Sequence, residues 1–186
     1  YTIRETSAPT GYTLSVPNTQ SLTVAAGQTA NATFANEKIS GKIAIYKVDA
    51  DSKEPLAGAT FSVTDANGNT VATLVTDANG TAETDWLPYG TYVVTETAAP
   101  NHYINSDVSV TVSITEHGKT YTVEAENEPM TGGLLVRKKD AVTGAAIEGV
   151  QFDIYRDGQQ IATMITDANG VATCNGLDAG TYTIKE

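Results

Sequence analysis

The sequence has a single cysteine, Cys174, and few positive charges. One cysteine cannot form an intramolecular disulfide, so covalent reinforcement of this chain must use other side chains. Only 11 Lys and Arg residues accompany 22 Asp and Glu residues, and the net charge is −11. This charge argues against a nucleic acid or an anionic membrane as partner, because both would be repelled.

Long apolar runs are also missing, and no segment keeps an amphipathic helical period for long. Threonine, valine, glycine and alanine are abundant instead, which predicts an all-β protein of short strands and tight turns. The first residues, "YTIRE", do not have the pattern of a signal peptide and already resemble the middle of a strand. We therefore expect the chain to be a section of a longer protein.

Internal repeats organise the chain. "GTYVVTETAAP" at 90–100 recurs as "YTIRETSAP" at 1–9 and as "GTYTIKE" at 180–186. The turn "TDANG" at 76–80 recurs at 166–170. Equivalent residues lie 90 or 91 positions apart, which is an ordinary size for a β-sandwich domain.

The repeats predict three parts. Residues 1–40 form the C-terminal half of one unit, residues 41–129 a complete unit, and residues 130–186 the N-terminal half of a further unit. The junctions "NEKISG" and "NEPMTGG" are short, so consecutive units should be closely coupled.

Alternation and turn residues predict seven strands in the complete unit, near 42–49, 59–65, 70–76, 80–85, 90–97, 107–115 and 119–127. The Asn-Gly pairs in "DANGN" and "DANGT" predict tight hairpins with type I′ turns. These loops lack the alternating oxygen ligands and closing glutamate of a calcium loop. We expect neither a metal nor a cofactor.

Three strands place a polar residue on a face that is otherwise apolar. Lys47 shares a face with Ile43 and Ile45 in "KIAIYKVDAD". In the same way Glu96 follows the inward residues of "YVVTE", and Asn127 those of "VEAEN". The partial units repeat the pattern at four further positions, which are Glu5, Asn36, Lys138 and Glu186. A lone charge is costly to bury, so these residues invite a specific explanation.

Burial lowers the pKa of a lysine and raises that of a carboxylic acid, so a close pair can exist as neutral amine and neutral acid. A neutral amine is a nucleophile, and a carboxamide that receives a proton is an electrophile. Attack by Lys47 on Asn127, with Glu96 moving protons, would expel ammonia and join the two side chains. A buried ion pair of Lys47 and Glu96, hydrogen-bonded to Asn127, is the open alternative. The adjacent acids Glu126 and Glu128 also remain possible partners of the lysine, although alternation favours Asn127.

"YKVD", "TETAAP" and "ENEP", in that order across one unit, resemble the Cna-B or SpaA-type domains of Gram-positive surface adhesins and pilins. "RETSAPTGY" at 4–12 is a close form of the family signature, whereas "NHY" at 101–103 departs from it. The resemblance implies tandem transthyretin-like or inverse immunoglobulin-like β-sandwich domains. It also implies an autocatalytic isopeptide bond between a lysine on the first strand and an asparagine on the last, assisted by an acid. The matching residues are Lys47, Asn127 and Glu96, with Lys138 and Asn36 as further bond partners and Glu5 and Glu186 as further acids.

Such a bond predicts a structural stalk that holds an adhesive tip away from the cell wall of a Gram-positive bacterium. Apart from a single-turnover cross-linking step, we expect no enzymatic activity. The expected partners are neighbouring repeats and a host or matrix ligand bound elsewhere in the parent protein. A ligand-binding module without a cross-link is the rival class, with Trp86 and Tyr89 as its candidate surface, although Trp86 is expected to pack at a sheet end.

His102 and His117 lie in loop-like segments without a spaced metal or triad partner, which predicts surface residues.

Each partial unit lacks one bond partner. Either these residues are a section of a longer array of repeats, or residues 130–186 of one molecule combine with residues 1–40 of another to form a nearly complete unit. In the second case Lys138 would bond Asn36 of the next copy, giving an open head-to-tail fibre.

Overall fold

A computed structural model describes residues 1–107 and 109–186, and the regular secondary structure of this part of the chain consists of fifteen β-strands. The strands are β1 Thr2–Arg4, β2 Thr19–Ser21, β3 Ser40–Asp49, β4 Thr60–Asp65, β5 Thr70–Val75, β6 Thr81–Glu83, β7 Leu87–Pro88, β8 Gly90–Ala98, β9 Ser109–Ile114, β10 Thr120–Asn127, β11 Thr131–Arg137, β12 Gln151–Arg156, β13 Gln159–Ile165, β14 Val171–Asp178 and β15 Thr183–Lys185. The described residues contain no helix that is long and apolar enough to cross a membrane.

The middle repeat folds into two sheets with an apolar core between them. One sheet has the order β5-β4-β8-β9, and the other has the order β10-β3-β6 with β7 paired to β3. The first strand of the repeat, β3, lies parallel to the last strand, β10, while the remaining pairs in both sheets are antiparallel. Alternate residues of β3, β4 and β8 point into this core, whose largest fully enclosed hydrophobic members are Ile43, Ile45, Phe61, Val63, Val94 and Ile114.

The all-β prediction is confirmed, and the seven predicted strands each agree with a described strand to within two residues at either end. One short strand, β7, was not predicted. The predicted strand near 107–115 includes Val108, which lies outside the described residues.

The predicted type I′ turns are wrong, because only the glycine of each Asn-Gly pair has a positive φ. In the β4–β5 hairpin, Asp65 Oδ1 accepts hydrogen bonds from the backbone N–H groups of Asn67 and Asn69, each at 2.9 Å. A single left-handed residue, Gly68 with φ of 82°, then closes the loop. This is the pattern of a type I turn followed by a bulge.

The second such turn is not a hairpin, since it joins β5 and β6, which belong to different sheets. Its Gly80 has φ of 70°, and a Cβ there would lie 2.3 Å from the backbone oxygen of Lys47. Lys47 N–H in turn donates to Gly80 O at 2.7 Å. The glycine therefore lets the turn approach the strand that holds the lysine.

The chain divides into two compact units, one of residues 1–101 and 105–128 and the other of residues 102–104 and 129–186. In the first unit, β1 and β2 form an antiparallel pair. In the second unit, β11 pairs with β14, and β13, β12 and β15 form a three-stranded sheet. Its smaller core is built from Phe152, Ile154, Met164 and Ala172. The division into three repeat-derived parts stays a prediction.

Candidate functional site: a buried lysine, glutamate and asparagine

Three strands deliver three polar side chains into the core of the middle repeat. Lys47 near the end of β3 has no exposed surface, and Glu96 in β8 and Asn127 at the end of β10 are each 2% exposed. In the parallel pairing of β3 and β10, Ala125 lies opposite Lys47 and Asn127 opposite Asp49. Asn127 is thus the next residue of β10 after Ala125 that points into the core.

Glu96 is the centre of the contacts. Its Oε2 accepts a hydrogen bond from Asn127 Nδ2 at 2.8 Å, and two more from Ser106, from the backbone N–H at 3.0 Å and from the hydroxyl at 2.5 Å. The other oxygen, Oε1, lies 3.9 Å from Lys47 Nζ. The lysine donates a long hydrogen bond of 3.5 Å to the backbone oxygen of Val48.

Two buried oxygens of this site, Glu96 Oε1 and Asn127 Oδ1, have no hydrogen-bond partner among the described residues. Both are acceptors while the acid is ionised, so they cannot satisfy each other. A proton on the acid would supply the missing donor, because a carboxylic acid can pair with a carboxamide through both of its oxygens. Unsatisfied buried polar groups are rare and call for an explanation of this kind.

The surroundings of Lys47 shift its amine toward the neutral form. Burial lowers the pKa of the amine from its ordinary value, and the Coulombic attraction of Glu96, Glu126 and Asp49 offsets only part of that effect. The alternative acids lie elsewhere: Glu126 and Glu128 are exposed, and Glu126 pairs with Lys53 at 2.8 Å. Within the middle repeat, Asn127 is thus the side chain brought to the acid that faces the lysine.

The first repeat holds an acid, an amide and a serine in a related arrangement, and no lysine contacts this acid among the described residues. Glu5 Oε1 accepts from Asn36 Nδ2 at 2.7 Å, and Glu5 Oε2 accepts from the backbone N–H and hydroxyl of Ser15 at 2.8 and 2.6 Å. The hydrogen bonds of Ser15 and Asn36 hold the pKa of Glu5 below its usual value. Glu5 and Asn36 are partly buried rather than fully enclosed.

In the second compact unit, Lys138 and Glu186 form an ion pair at the surface. Lys138 Nζ donates to both carboxylate oxygens, at 2.7 and 2.6 Å. The side chains are 29% and 53% exposed. The sequence placed all seven polar residues on inward faces, and the structure gathers them into one buried trio and two more open pairs.

The strand pattern did not single out Ser106 or its counterpart Ser15, although the sequence contains a signal for both. The pattern E-T-x-A-P-x-x-Y-x-x-S occurs at residues 5–15 and again at 96–106. Both copies end in the serine that contacts the acid at the start of the pattern. Aligning the two repeats for polar residues outside the strands would have found it.

The expectation that Trp86 packs at a sheet end is not met, because this residue is 54% exposed. Tyr89, three residues further along the chain, is 43% exposed, and Lys42 Nζ lies 5.4 Å from the centre of the indole ring. This pair of aromatic residues is therefore accessible at the surface of the middle repeat.

The histidines are surface residues, as predicted. His117 accepts a hydrogen bond from Ser40 N–H at 3.3 Å, and its other nitrogen lies 3.9 Å from Glu37. Cys174 is partly buried in β14. The described residues contain no group of three or more His, Cys, Asp and Glu side chains that could hold a metal ion.

The fold and the buried trio define a class of protein: tandem β-sandwich repeats with a lysine, an acid and an asparagine enclosed in the core. The sequence matches the profile of the prealbumin-like fold domain SpaA over residues 41–129 and 132–186. The chain belongs to this family.

Named relatives include surface adhesins of Gram-positive bacteria. The collagen adhesin of Staphylococcus aureus is 34% identical over 147 residues, which are 70% of this chain and 12% of that protein. The serine-aspartate repeat-containing protein F of Staphylococcus epidermidis is 27% identical over 159 residues, or 73% of this chain and 9% of that protein. The chain thus spans about a tenth of the length of these relatives.

A solved structure described as the Bacillus anthracis TIE protein is similar over the whole of this chain. It superposes with a TM-score of 0.84 at 31% identity, and the match covers 35% of that structure's chain. The predicted fold class, all-β with tandem transthyretin-like or inverse immunoglobulin-like β-sandwich domains, is thereby confirmed.

Proposed function

We propose that this chain is a section of a stalk in an extracellular, cell-wall-attached bacterial surface protein, stiffened by an isopeptide bond between Lys47 and Asn127. The observation that carries the proposal is the enclosure of both residues with Glu96 in one core. A buried lysine whose pKa is lowered, next to an acid and a carboxamide, has the groups that amide formation requires.

In the proposed reaction, Lys47 first passes the proton of its ammonium group to Glu96 Oε1. The neutral amine attacks Cγ of Asn127, and Glu96 donates its proton toward Oδ1 as negative charge develops there. The bond from Cγ to Nδ2 then breaks. Of the two protons on the amine, one stays on the new amide nitrogen and the other passes by way of Glu96 to Nδ2, which leaves as ammonia. As the carbonyl re-forms, the proton on Oδ1 returns to Glu96 and passes from there to the departing ammonia, which leaves the site as ammonium. The reaction needs no cofactor, and the acid ends as the carboxylate in which it started.

The strand arrangement gives the bond a mechanical role. Because β3 and β10 are parallel neighbours, tension that enters at the start of β3 and leaves at the end of β10 pulls them in opposite directions. A bond from Lys47 to Asn127 would carry that tension directly between the two strands. The residues between 47 and 127 would then bear none of it.

The bond would also stabilise the fold. A cross-link between residues 47 and 127 restricts the unfolded chain, which is worth roughly 4–5 kcal/mol in the chain-entropy estimate used for disulfides. A chain with one cysteine gains in this way the reinforcement that disulfides give to other extracellular proteins. Neighbouring repeats of the parent protein are the proposed partners, together with a host or matrix ligand bound elsewhere in that protein.

Intact-mass spectrometry of the full chain tests the proposal. The parent should be lighter than its sequence by one ammonia, and peptide mapping should yield a branched peptide that joins Lys47 to Asn127. Lys47→Met, Glu96→Gln and Asn127→Ala variants should each keep their full mass. An unmodified parent that is well folded would contradict the proposal and leave a ligand-binding module, with Trp86 and Tyr89 as its surface.

A head-to-tail fibre is a second candidate, supported by the two more open sites. Glu5 already holds Asn36, and Lys138 already holds Glu186, so each site contains an acid and one of the two bond partners. A bond from Lys138 to Asn36 of another copy would link molecules into an open chain. Oligomers that resist boiling in detergent and disappear in a Lys138→Ala variant would support it, whereas a monomer at all concentrations would rule it out.

A further inference from the structure

A serine lies ten residues after the acid in both repeats where this stretch is present. Ser15 follows Glu5 and Ser106 follows Glu96 at the same spacing. Neither serine belongs to a strand, so Ser15 is placed by the loop that follows β1 and Ser106 by the loop that follows β8. Ser15 is buried and Ser106 is partly buried.

Each serine makes two hydrogen bonds to a single oxygen of its acid. In the middle repeat the backbone N–H and hydroxyl of Ser106 donate to Glu96 Oε2 at 3.0 and 2.5 Å. In the first repeat the same two groups of Ser15 donate to Glu5 Oε2 at 2.8 and 2.6 Å. Two donors from one residue on one oxygen fix the rotation of the carboxyl group.

The amide contact differs between the two repeats, while the serine contact does not. Asn36 donates to Oε1 of Glu5, the oxygen that the serine leaves open. Asn127 donates instead to Oε2 of Glu96, the oxygen that Ser106 already holds. Glu96 Oε1 is therefore left without a hydrogen bond, 3.9 Å from Lys47 Nζ.

We propose that Ser106 is a positioning residue for the cross-linking reaction, which holds Glu96 through Oε2 and reserves Oε1 for proton transfer with Lys47. This inference rests on the proposed isopeptide function. A carboxyl group that rotates freely would offer either oxygen to the lysine and would spend time turned toward other donors. With Oε2 occupied by three donors, the mobile proton is confined to Oε1, the oxygen that faces the amine.

The rate of ammonia loss from the full chain tests this inference. The chain is made by cell-free synthesis, samples are quenched in acid at intervals, and intact mass gives the fraction cross-linked. Ser106→Ala removes one charge-assisted hydrogen bond and keeps the backbone donor, so we expect the reaction to slow roughly 10- to 100-fold. Ser106→Thr keeps the hydroxyl and should restore most of the parent rate.

The chain supplies its own matched control. Ser15→Ala removes the same hydrogen bond from Glu5, which no lysine contacts among the described residues, and should leave the rate at Lys47 unchanged. Thermal unfolding of Ser106→Ala in a Lys47→Met background, where no cross-link can form, measures any purely structural effect. If Ser106→Ala does not fold, Ser106→Cys keeps the side-chain volume with a weak donor and should also react slowly.

The outcomes separate this inference from the function on which it rests. A parent chain that never loses ammonia would overturn both. A parent that cross-links while Ser106→Ala or Ser106→Cys reacts at the same rate would overturn the role of the serine alone. Slow Ser106→Ala without rescue by Ser106→Thr would also overturn it, because packing rather than the hydroxyl would then matter.

Discussion

The site in the middle repeat and the first half-site, which consists of Glu5, Asn36 and Ser15, each contain an acid, an amide and a serine. Of these two sites, only the one in the middle repeat also holds a lysine. Glu96 is enclosed, whereas Glu5 is partly exposed. The serine occupies Oε2 in both, and the amide nitrogen occupies Oε2 in the middle site and Oε1 in the half-site. The serine contact therefore occurs with or without a lysine. A carboxylate oxygen without a hydrogen bond, Glu96 Oε1, is found only in the site that also contains the lysine.

The second half-site, which consists of Lys138 and Glu186, differs from the middle site in the distance between its lysine and its acid. There the lysine reaches both oxygens of Glu186 at 2.6 and 2.7 Å, compared with 3.9 Å between Lys47 and Glu96. Glu186 is exposed, no other donor contacts it among the described residues, and it pairs closely with its lysine. An acid already held by an amide and a serine does not, so the buried lysine stays poorly paired. A poorly paired buried amine is the state that favours nucleophilic attack.

The largest expected effect separates Glu96 from Glu5. Glu96→Gln cannot move a proton, so the cross-link should not form, which costs roughly 4–5 kcal/mol of unfolding free energy. Lys47 is then left buried without a carboxylate, which adds about 3 kcal/mol. Denaturant unfolding followed by the fluorescence of Trp86, the single tryptophan, reports on this repeat.

Glu5→Gln is the control for this prediction. It alters an acid with similar hydrogen bonds that is not fully enclosed and that no lysine contacts among the described residues, so the loss of one ammonia and the Trp86 transition should stay those of the parent. Equal effects of the two substitutions would contradict the distinction between the sites.

The second prediction removes the lysine and keeps the acid. Lys47→Met preserves most of the side-chain volume, and replacing a buried charge by an apolar group is often tolerated. The loss should therefore be close to the cross-link alone, roughly 4–5 kcal/mol by the same chain-entropy estimate. Lys53→Met, at an exposed pair with Glu126, is the matched control and should change little. Parent-like stability of Lys47→Met would mean that no bond had formed in the parent.

The third prediction concerns pH and uses a variant in which the lysine stays free. In Asn127→Ala, Lys47 keeps a folded-state pKa below its ordinary value of 10.5 because of burial. The unfolded chain then binds more protons than the folded chain between the two pKa values, so stability rises with pH in that window and is lost as pH falls through the lowered pKa.

The slope should reach at most about 1.4 kcal/mol per pH unit. Urea midpoints measured at a series of pH values below 10.5 would show it in Asn127→Ala. The parent, in which the amine has become an amide, and Lys47→Met should both lack it. Equal slopes in Asn127→Ala and Lys47→Met would show that the lysine does not titrate in this way.

Much of the middle repeat could be predicted because its strands alternate cleanly. One face of β3 carries Ile43, Ile45 and Lys47, so the period of two alone indicates that the lysine is buried. The same rule found Glu96 and Asn127. It could not show that the three side chains meet, because that depends on β3 and β10 pairing in parallel across a long stretch of sequence.

Other features were beyond the strand pattern. Ser106 lies in a loop, where no period applies, and only the comparison of repeats identifies it. The type I′ turn prediction failed because the Asp65 carboxylate holds the loop through two backbone N–H groups, so that Gly68 alone adopts positive φ. The exposure of Trp86 depends on its place between two short strands, β6 and β7, and the second of these was not predicted.

The smallest expected effect tests whether the position of a lysine in the repeat is enough to define the site. Lys138→Ala removes a lysine equivalent to Lys47 but engaged in a partly exposed ion pair with Glu186. Such pairs contribute under about 1 kcal/mol and are screened by salt. Calorimetry at low and high salt should therefore show a small loss that shrinks as salt is added, with the Trp86 transition unchanged. A loss as large as that of Lys47→Met would mean that the lysine position itself stabilises each repeat. A small loss would mean that the two lysines differ in stabilising effect because Lys47 is enclosed and because an amide and a serine hold the acid beside it.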